Sequence, residues 1–135
     1  MRLFFWFNRF VISTSIKIMM KPVQVVKALG ALAQPTRLAI FRLLVEAGQG
    51  GMAAGKISEK LSISPATLTF HFNTMSHAEL IVRRQEGRFI LYSANFKAMN
   101  GIVEYLTENC CGGNIEACKT PLQSNSKKPK KESHA

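Results

Sequence analysis

The first half of the chain carries apolar residues at helical spacing in two adjacent stretches. Residues 23–33 follow Pro22, and residues 36–47 follow Pro35; proline is favoured at the first position of a helix. The second stretch ends at a glycine-rich segment, which is typical of a helix terminus. One apolar face is formed by Val25, Leu29 and Leu32, and the next by Leu38, Phe41 and Leu44. The pattern predicts two consecutive helices.

A short helix and a longer helix, joined by a tight connection, are predicted next. Residues 54–61 form the short helix, and residues 62–64 form the connection. Ser64 is a favourable N-cap and Pro65 a favourable first residue for the longer helix, which runs to about residue 78. Its buried edge consists of Leu68, Phe72 and Met75. Two helices joined in this way are typical of a helix-turn-helix.

A β-hairpin and a last helix complete the pattern. Residues 80–85 and 88–93 are rich in strand-forming residues and flank Glu86-Gly87, a two-residue turn signal. Asn95 begins the last helix. The predicted fold class is mainly α with a small β-hairpin wing (α+β), a winged helix-turn-helix.

The apolar faces of the first and last helices exceed what a small core needs. A helix of about three turns with an apolar stripe is not stable alone in water. We therefore predict that these helices pair across a two-fold axis in a homodimer. The predicted interface consists of Val25, Leu29, Leu32, Phe96, Met99, Val103 and Leu106.

The 135 residues suffice for one domain with tails, and we assign that domain to residues 21–108. Residues 1–20 form an aromatic-rich extension, and we expect Met19 or Met20 to be the true start; the alternative is a membrane-surface anchor. Its apolar run is too short for a membrane span, so no stable membrane association is expected. Residues 109–118 form a cysteine segment and residues 119–135 a disordered Lys-rich tail.

The formal charge of +10 indicates a polyanionic partner, but the placement of the charges matters more than the total. Residues 1–20 and 109–135 carry +3 each, so the globular part retains only +4. Three arginines, in contrast, surround the tip of the predicted wing, with Glu86 as the opposing charge. Contacts to the DNA backbone and minor groove are the expected role of these arginines.

The outward face of the longer helix presents small hydroxyls, an amide and an aromatic ring, and no acid before Glu79. Such a face suits the groove of double-stranded DNA. Phe70 either contacts a thymine methyl group or packs under the wing or on the second subunit, and a histidine placed like His71 is more often structural than a ligand. The candidate DNA-binding residues are Ser64, Ala66, Thr67, Thr69, Phe70, His71, Asn73, Thr74, Arg83, Arg84 and Arg88.

Three segments in this order resemble the ArsR family of metalloregulatory winged-helix repressors: LAQPTRL at 32–38, LSISPATLTFH at 61–71 and EGR at 86–88. The resemblance covers residues 23–106. It implies a homodimer joined through the first and last helices, an operator of inverted repeats in double-stranded DNA, and repression relieved by a metal or metalloid. We expect a cytoplasmic protein without enzymatic activity.

Two sensing sites of that family are absent, because residues 54–61 contain no cysteine and residues 95–108 contain neither His nor Asp. Cys110, Cys111 and Cys118 are similar to the thiols that follow the last helix in a subgroup of arsenic sensors. Trivalent arsenic prefers three thiolates, whereas structural zinc normally takes four ligands. The expected inducer is trivalent arsenic, either as arsenite or as a methylated arsenical. Antimonite is a related ion that could take its place.

Other functions of the three thiols stay open. Zinc with His134 as a fourth ligand, a thiol-based redox sensor, and an arsenic-sequestering protein that does not bind DNA are the alternatives. An oxidoreductase or arsenate reductase is not favoured, because the sequence has no Cys-x-x-Cys on a strand-to-helix turn and no phosphate-cradling glycine loop.

Overall fold

The computed structural model describes residues 19–114, which form five α-helices and a three-stranded antiparallel sheet. Nearly all of the N-terminal extension, Cys118, His134 and the Lys-rich tail therefore lie outside the described residues. The elements are α1 (Pro22–Leu32), α2 (Pro35–Ala47), β1 (Met52–Ala53), α3 (Ala54–Leu61), α4 (Pro65–His77), β2 (Ile81–Glu86), β3 (Phe89–Ala94) and α5 (Phe96–Leu106), followed by a 3₁₀ turn at Cys110–Gly113. The predicted fold class is confirmed.

α1 and α2 begin at the predicted prolines and pack against each other and against α4. The Gln34 side chain caps α2 by accepting a hydrogen bond of 2.7 Å from the Arg37 backbone N–H. Arg37 in turn donates from Nε to the carbonyl of Ala31 at the end of α1. α2 ends at Gly48, whose φ of 74° favours glycine.

Leu38 departs from the predicted face of α2. It is exposed, whereas Ile40, Phe41 and Leu44 are buried. Residues three apart in an α-helix differ by about 60° around its axis. Leu38 and Leu44 are six apart and therefore differ by about 120°, so they do not both face the core. The prediction for Leu38 is therefore wrong, and Ile40 takes its place in the core.

α3 and α4 form the helix-turn-helix, joined at Ser62 with a left-handed φ of 52°. The Ser64 side chain accepts a hydrogen bond from the Thr67 backbone N–H at 3.3 Å, which confirms the predicted N-cap. The predicted buried edge of α4 is confirmed by the burial of Leu68, Phe72 and Met75.

The sheet has the strand order β1-β3-β2, and the two-residue strand β1 was not predicted. β2 and β3 form the wing, and Gly87 supplies the expected positive φ, 59°, at its turn. β1 pairs Met52 with Tyr92 and thereby attaches the wing to the segment after α2. Two residues are too few for the alternation that identifies a strand in a sequence.

Asn95 caps α5 rather than starting it, because its side chain accepts a hydrogen bond of 3.1 Å from the Ala98 backbone N–H. Its amide also donates to the carbonyl of Glu79 at 2.8 Å, which fixes α5 beside the end of α4.

Within residues 19–114 no single helix is long and apolar enough to span a membrane; α1 and α2 reach that length and composition only together, across a bend of 103°.

Gly51 determines how closely β1 approaches the wing. Its φ is 71°, and a Cβ atom there would lie 2.4 Å from the Tyr92 carbonyl oxygen. We therefore expect Gly51→Ala to lower the free energy of unfolding by roughly 2–4 kcal/mol, from backbone strain and overpacking together. Chemical denaturation measures this loss.

Gly50→Ala is the matched control, because no atom lies within 4 Å of the added Cβ. Its expected effect is within about 0.5 kcal/mol of wild type. Equal stability of the two variants would contradict the proposed close contact at Tyr92.

Candidate nucleic-acid interface

The outward face of α4 is exposed along the whole helix. Phe70 is 65% exposed, and it lies between exposed Ala66 and exposed Asn73. Ser64, Thr67 and Thr69 are exposed beside them, and Thr74 is half-buried. A convex helix face with small side chains and one protruding ring fits the shape of a major groove. The structure thus brings most of the predicted helix residues to one surface.

The threonine hydroxyls on this face are engaged in the helix itself. Thr69 donates to the Pro65 carbonyl at 2.9 Å, and Thr74 donates to the Phe70 carbonyl at 3.2 Å. In this state the hydroxyl hydrogens are used, and the hydroxyl oxygens keep their capacity to accept hydrogen bonds. Donation to a phosphate requires rotation of the hydroxyl, so these residues suit base edges and methyl contacts as well as the backbone.

His71 does not belong to the exposed face. It is 7% exposed, and its ring meets Phe70 edge-on at 5.7 Å. Its Nδ1 atom has no hydrogen-bond partner among residues 19–114. Burial, and secondly the nearby charge of Arg37, lower the pKa of His71 below its ordinary value of 6.5. The inclusion of His71 among the DNA contacts is corrected to a structural role beneath the exposed face of α4. We call that face (Ala66, Phe70, Asn73 and their exposed neighbours) the reading face, and α4 the reading helix.

Arg83 lies on the side of the wing that faces α4. Directly paired residues of an antiparallel ladder share a face, and Arg83 is paired with Tyr92. The Tyr92 ring stacks on Phe72 of α4, with ring centroids 4.0 Å apart. Arg83 is therefore placed beside the reading helix and exposed to solvent, where a DNA phosphate can reach it.

Arg84 lies on the opposite face and is held by three groups. Its guanidinium pairs with Glu86 at 3.0 Å and donates to the carbonyls of Gly50 at 3.2 Å and Gln49 at 3.5 Å. These contacts brace the wing against the segment between α2 and β1. The geometry favours a positioning role for Arg84 over the predicted DNA contact, and alternation along a strand already implied that neighbouring arginines diverge.

Arg88 is exposed at the turn of the wing, as predicted for a DNA-contacting residue. The next residue, Phe89, is 69% exposed and was not among the predicted site residues. Its only signal in the sequence is an aromatic ring beside a turn. The exposed surface of α4 together with Arg83 and Arg88 offers hydroxyl, amide and cationic groups, and we take these residues as the candidate interface.

The cysteine segment follows α5 after three residues. Cys110 and Cys111 lie in the 3₁₀ turn with their Sγ atoms 3.7 Å apart, and the Cys110 backbone N–H donates to the Thr107 carbonyl at 3.1 Å. Cys111, Gly112 and Gly113 have φ values of 54°, 67° and 85°, which turn the chain sharply. No group of three metal-binding side chains occurs among the residues that the structure describes, and the third predicted ligand, Cys118, lies outside them.

Comparisons with known proteins agree with this geometry. A helix-turn-helix domain family matches residues 32–84. The transcriptional repressor SdpR of Bacillus subtilis (strain 168) is 34% identical over 76 residues, which cover 56% of this chain and 81% of SdpR. The matched range of the domain family includes both helices of the helix-turn-helix, α3 and α4.

Solved structures show the same fold. An ArsR-like transcriptional regulator from Rhodococcus sp. RHA1 superposes with a TM-score of 0.59 at 21% identity, covering 70% of this chain and 87% of the other. A homodimeric winged helix-turn-helix DNA-binding domain from Mycobacterium bovis has a TM-score of 0.52 at 23% identity, covering 64% and 81%.

The fold, the exposed helix face and the arginines of the wing define a winged helix-turn-helix DNA-binding regulator. The chain belongs to the ArsR family of winged-helix transcriptional regulators.

The different roles of Arg83 and Arg84 have different signatures in DNA binding. We expect Arg83→Gln to weaken binding and to reduce the slope of log K against log salt by about 1, because one phosphate contact is lost. Arg84→Gln is expected to weaken binding with the slope unchanged, because the wing loses its brace but no phosphate contact. Fluorescence anisotropy at several salt concentrations measures both quantities.

Glu86→Gln is the matched control, since it removes the Arg84 ion pair and keeps the cation. It is expected to reproduce the direction of the Arg84→Gln effect. A slope reduction for Arg84→Gln as large as that for Arg83→Gln would instead place Arg84 on the DNA.

The lowered pKa of His71 predicts a loss of stability in acid. Folding favours the neutral ring, so the contribution of His71 is fully present above pH 6.5 and is lost as the pH falls through the folded-state pKa. We expect His71→Leu to reduce the difference in unfolding free energy between pH 7 and pH 5, measured by denaturation at each pH. His77→Gln, which changes an exposed histidine of the same helix, is expected to keep the wild-type difference. An unchanged difference in His71→Leu would refute the assignment.

Proposed function

We propose that the chain is an arsenic-responsive transcriptional repressor. In this proposal a homodimer binds operator DNA with inverted repeats and is released when trivalent arsenic binds Cys110, Cys111 and Cys118. The observation that carries the proposal is the pair of sulfur atoms 3.7 Å apart, directly after the last helix of a DNA-binding fold.

The exposed surfaces of α1 and α5 support the homodimer. Val26 is 70% exposed on α1 and Leu106 is 60% exposed on α5, with Val23 and Leu29 also at the surface. Apolar side chains grouped in this way are typical of a protein interface. The homodimeric neighbour from Mycobacterium bovis shows that such a fold can assemble through two copies.

The predicted interface needs one correction. Val25 is 2% exposed and packs in the core of its own chain, so its side chain has no surface for a partner. Leu29, Leu32, Phe96, Met99, Val103 and Leu106 are partly or largely exposed and stay in the proposed interface. Val23 and Val26 replace Val25, because the exposed side of α1 is rotated from the face that the sequence indicated.

The thiol geometry supports a soft ion as ligand. Two sulfurs bound at about 2.3 Å to one tetrahedral ion lie about 3.8 Å apart, close to the observed separation. Trivalent arsenic is completed by a third thiolate, for which Cys118 is the available residue of the chain. Arsenite is the proposed inducer, with a methylated arsenical or antimonite as chemically related ligands. Such a site needs reduced thiols, as the cytoplasm provides.

The position of the thiols supplies a route from ligand to DNA. Only three residues separate α5 from Cys110, and α5 belongs to the proposed dimer interface. Closing the segment around arsenic would shift α5 and change the distance between the two α4 helices of the dimer. A coupling of about 1–3 kcal/mol changes affinity roughly 5–150-fold, which is enough to vacate an operator.

Single cysteine variants test the proposal. Cys110→Ser, Cys111→Ser and Cys118→Ser are each expected to bind DNA upstream of the gene as wild type does and to lose the arsenite-induced release. A gel shift in reducing buffer, with and without arsenite, measures both. Asn114→Ser changes the same segment without removing a thiol and is expected to respond to arsenite normally.

The other outcomes decide between the alternatives. Normal arsenite release in all three cysteine variants would overturn the thiol site. Release by peroxide without release by arsenite would replace arsenic with a redox signal. Absence of DNA binding in the wild type would favour an arsenic-sequestering protein.

A further inference from the structure

A cleft with cationic walls lies between α1, α2 and α4, away from the thiols. Its volume is about 380 Å³, which falls in the range of small-molecule sites. Lys27 from α1, Arg37 from α2 and His77 from α4 line it, together with Thr74 and the small side chains of Ala31 and Ala78. None of the lining residues is acidic.

Arg37 is anchored at this cleft in an orientation that leaves donors available. Its Nε atom donates to the Ala31 carbonyl, which fixes the guanidinium between α1 and α2. Within residues 19–114 its terminal nitrogens make neither a hydrogen bond nor an ion pair. A planar guanidinium held in this way binds a carboxylate or phosphate through two parallel hydrogen bonds.

His77 is oriented by its own helix. Its Nδ1–H donates to the Asn73 carbonyl at 2.7 Å, so Nε2 is the ring atom left for a ligand. Lys27 adds a second cation to that of Arg37. Two cations and an imidazole ring from three separate helices thus line one space, together with the small side chains of Ala31 and Ala78.

A buried polar atom lies next to this cleft. His71 precedes Thr74 by three residues and therefore lies on a neighbouring part of the α4 surface. Its Nδ1 atom is buried and has no partner in the part of the chain that the structure describes. Arg37 lies close enough to act electrostatically on His71. The region between α2 and α4 thus combines an unsatisfied ring nitrogen with an uncompensated guanidinium, and a bound anion would neutralise the latter.

We propose that this cleft binds the phosphate or carboxylate group of a small-molecule ligand. Such a ligand would bridge α1, which contributes to the proposed dimer interface, and α4, which carries the reading face. It would therefore adjust DNA affinity by a route that does not use the thiols. The regulatory consequence rests on the proposed function, whereas binding to the cleft does not.

A free ligand is favoured over a DNA phosphate by the location of the cleft. Thr74, His77 and Ala78 border it at the carboxyl end of α4, whereas Ala66 and Phe70 are exposed one or more turns nearer the amino end, the part of a recognition helix that contacts bases. The wing arginine nearest the reading face, Arg83, is not among the lining residues. The two sources of a phosphate group are separated by the experiment below.

Titration with inorganic phosphate, followed by amide NMR at constant ionic strength, tests the site. We expect saturable shifts for Lys27, Arg37 and His77 with a millimolar Kd. Lys27→Gln is expected to weaken binding roughly tenfold, since it removes one charge-assisted hydrogen bond. Lys97→Gln, an exposed lysine on α5, is the matched control and is expected to bind phosphate as wild type does.

Two results would overturn the proposal. One is the absence of saturable shifts at the cleft in the wild type up to about 50 mM phosphate, well above a millimolar Kd. The other is equal phosphate affinity in Lys27→Gln and wild type.

A DNA-binding measurement distinguishes a free phosphate ligand from a phosphate of the DNA backbone. In phosphate-free buffer, Lys27→Gln is expected to bind DNA with wild-type affinity and salt slope. A slope reduced by about 1 would assign Lys27 to the DNA backbone and contradict a free ligand. Because arsenite release is measured separately on the cysteine variants, failure of the cleft and failure of the thiol switch are distinguishable.

Discussion

The stack between Phe72 of α4 and Tyr92 of β3 links the reading helix to the wing, and the proposed DNA interface depends on it. The rings lie 4.0 Å apart at 24°, a contact worth about 0.5–1.5 kcal/mol beyond area burial. The backbone of Tyr92 is also paired with Met52 of β1 in the sheet. This link places Arg83, the strand partner of Tyr92, beside the exposed face of α4.

The helices were predictable because their apolar periodicity and their caps agree, as at Ser64 and Pro65. Features that depend on three-dimensional neighbours were not. The sequence shows two adjacent arginines in the wing, but only the fold shows that Arg84 meets the carbonyls of Gln49 and Gly50. In the same way, the burial of His71 depends on the packing of α1 and α2 over α4, which the spacing of α4 alone does not determine.

Two separate regions are connected to α4 by different elements. The thiol pair follows α5, whose cap Asn95 is bonded to the Glu79 carbonyl just after α4. The cationic cleft is lined by α4 itself together with α1 and α2. In the two proposals above, a ligand at either place would act on α4, because packed interfaces shift between discrete arrangements rather than deform continuously. The proposed regulator would then have two inputs for one DNA-binding surface.

Hydroxyl-radical footprinting of the wild-type protein on the DNA upstream of its gene shows whether a dimer binds there and whether arsenite releases it. We expect two protected backbone segments related by two-fold symmetry, with centres about 10 base pairs or a multiple of that apart, as two α4 helices of a dimer require. Arsenite in reducing buffer is expected to remove both. A single asymmetric segment would refute the dimer on an inverted repeat, and protection that persists at saturating arsenite would refute the arsenic switch.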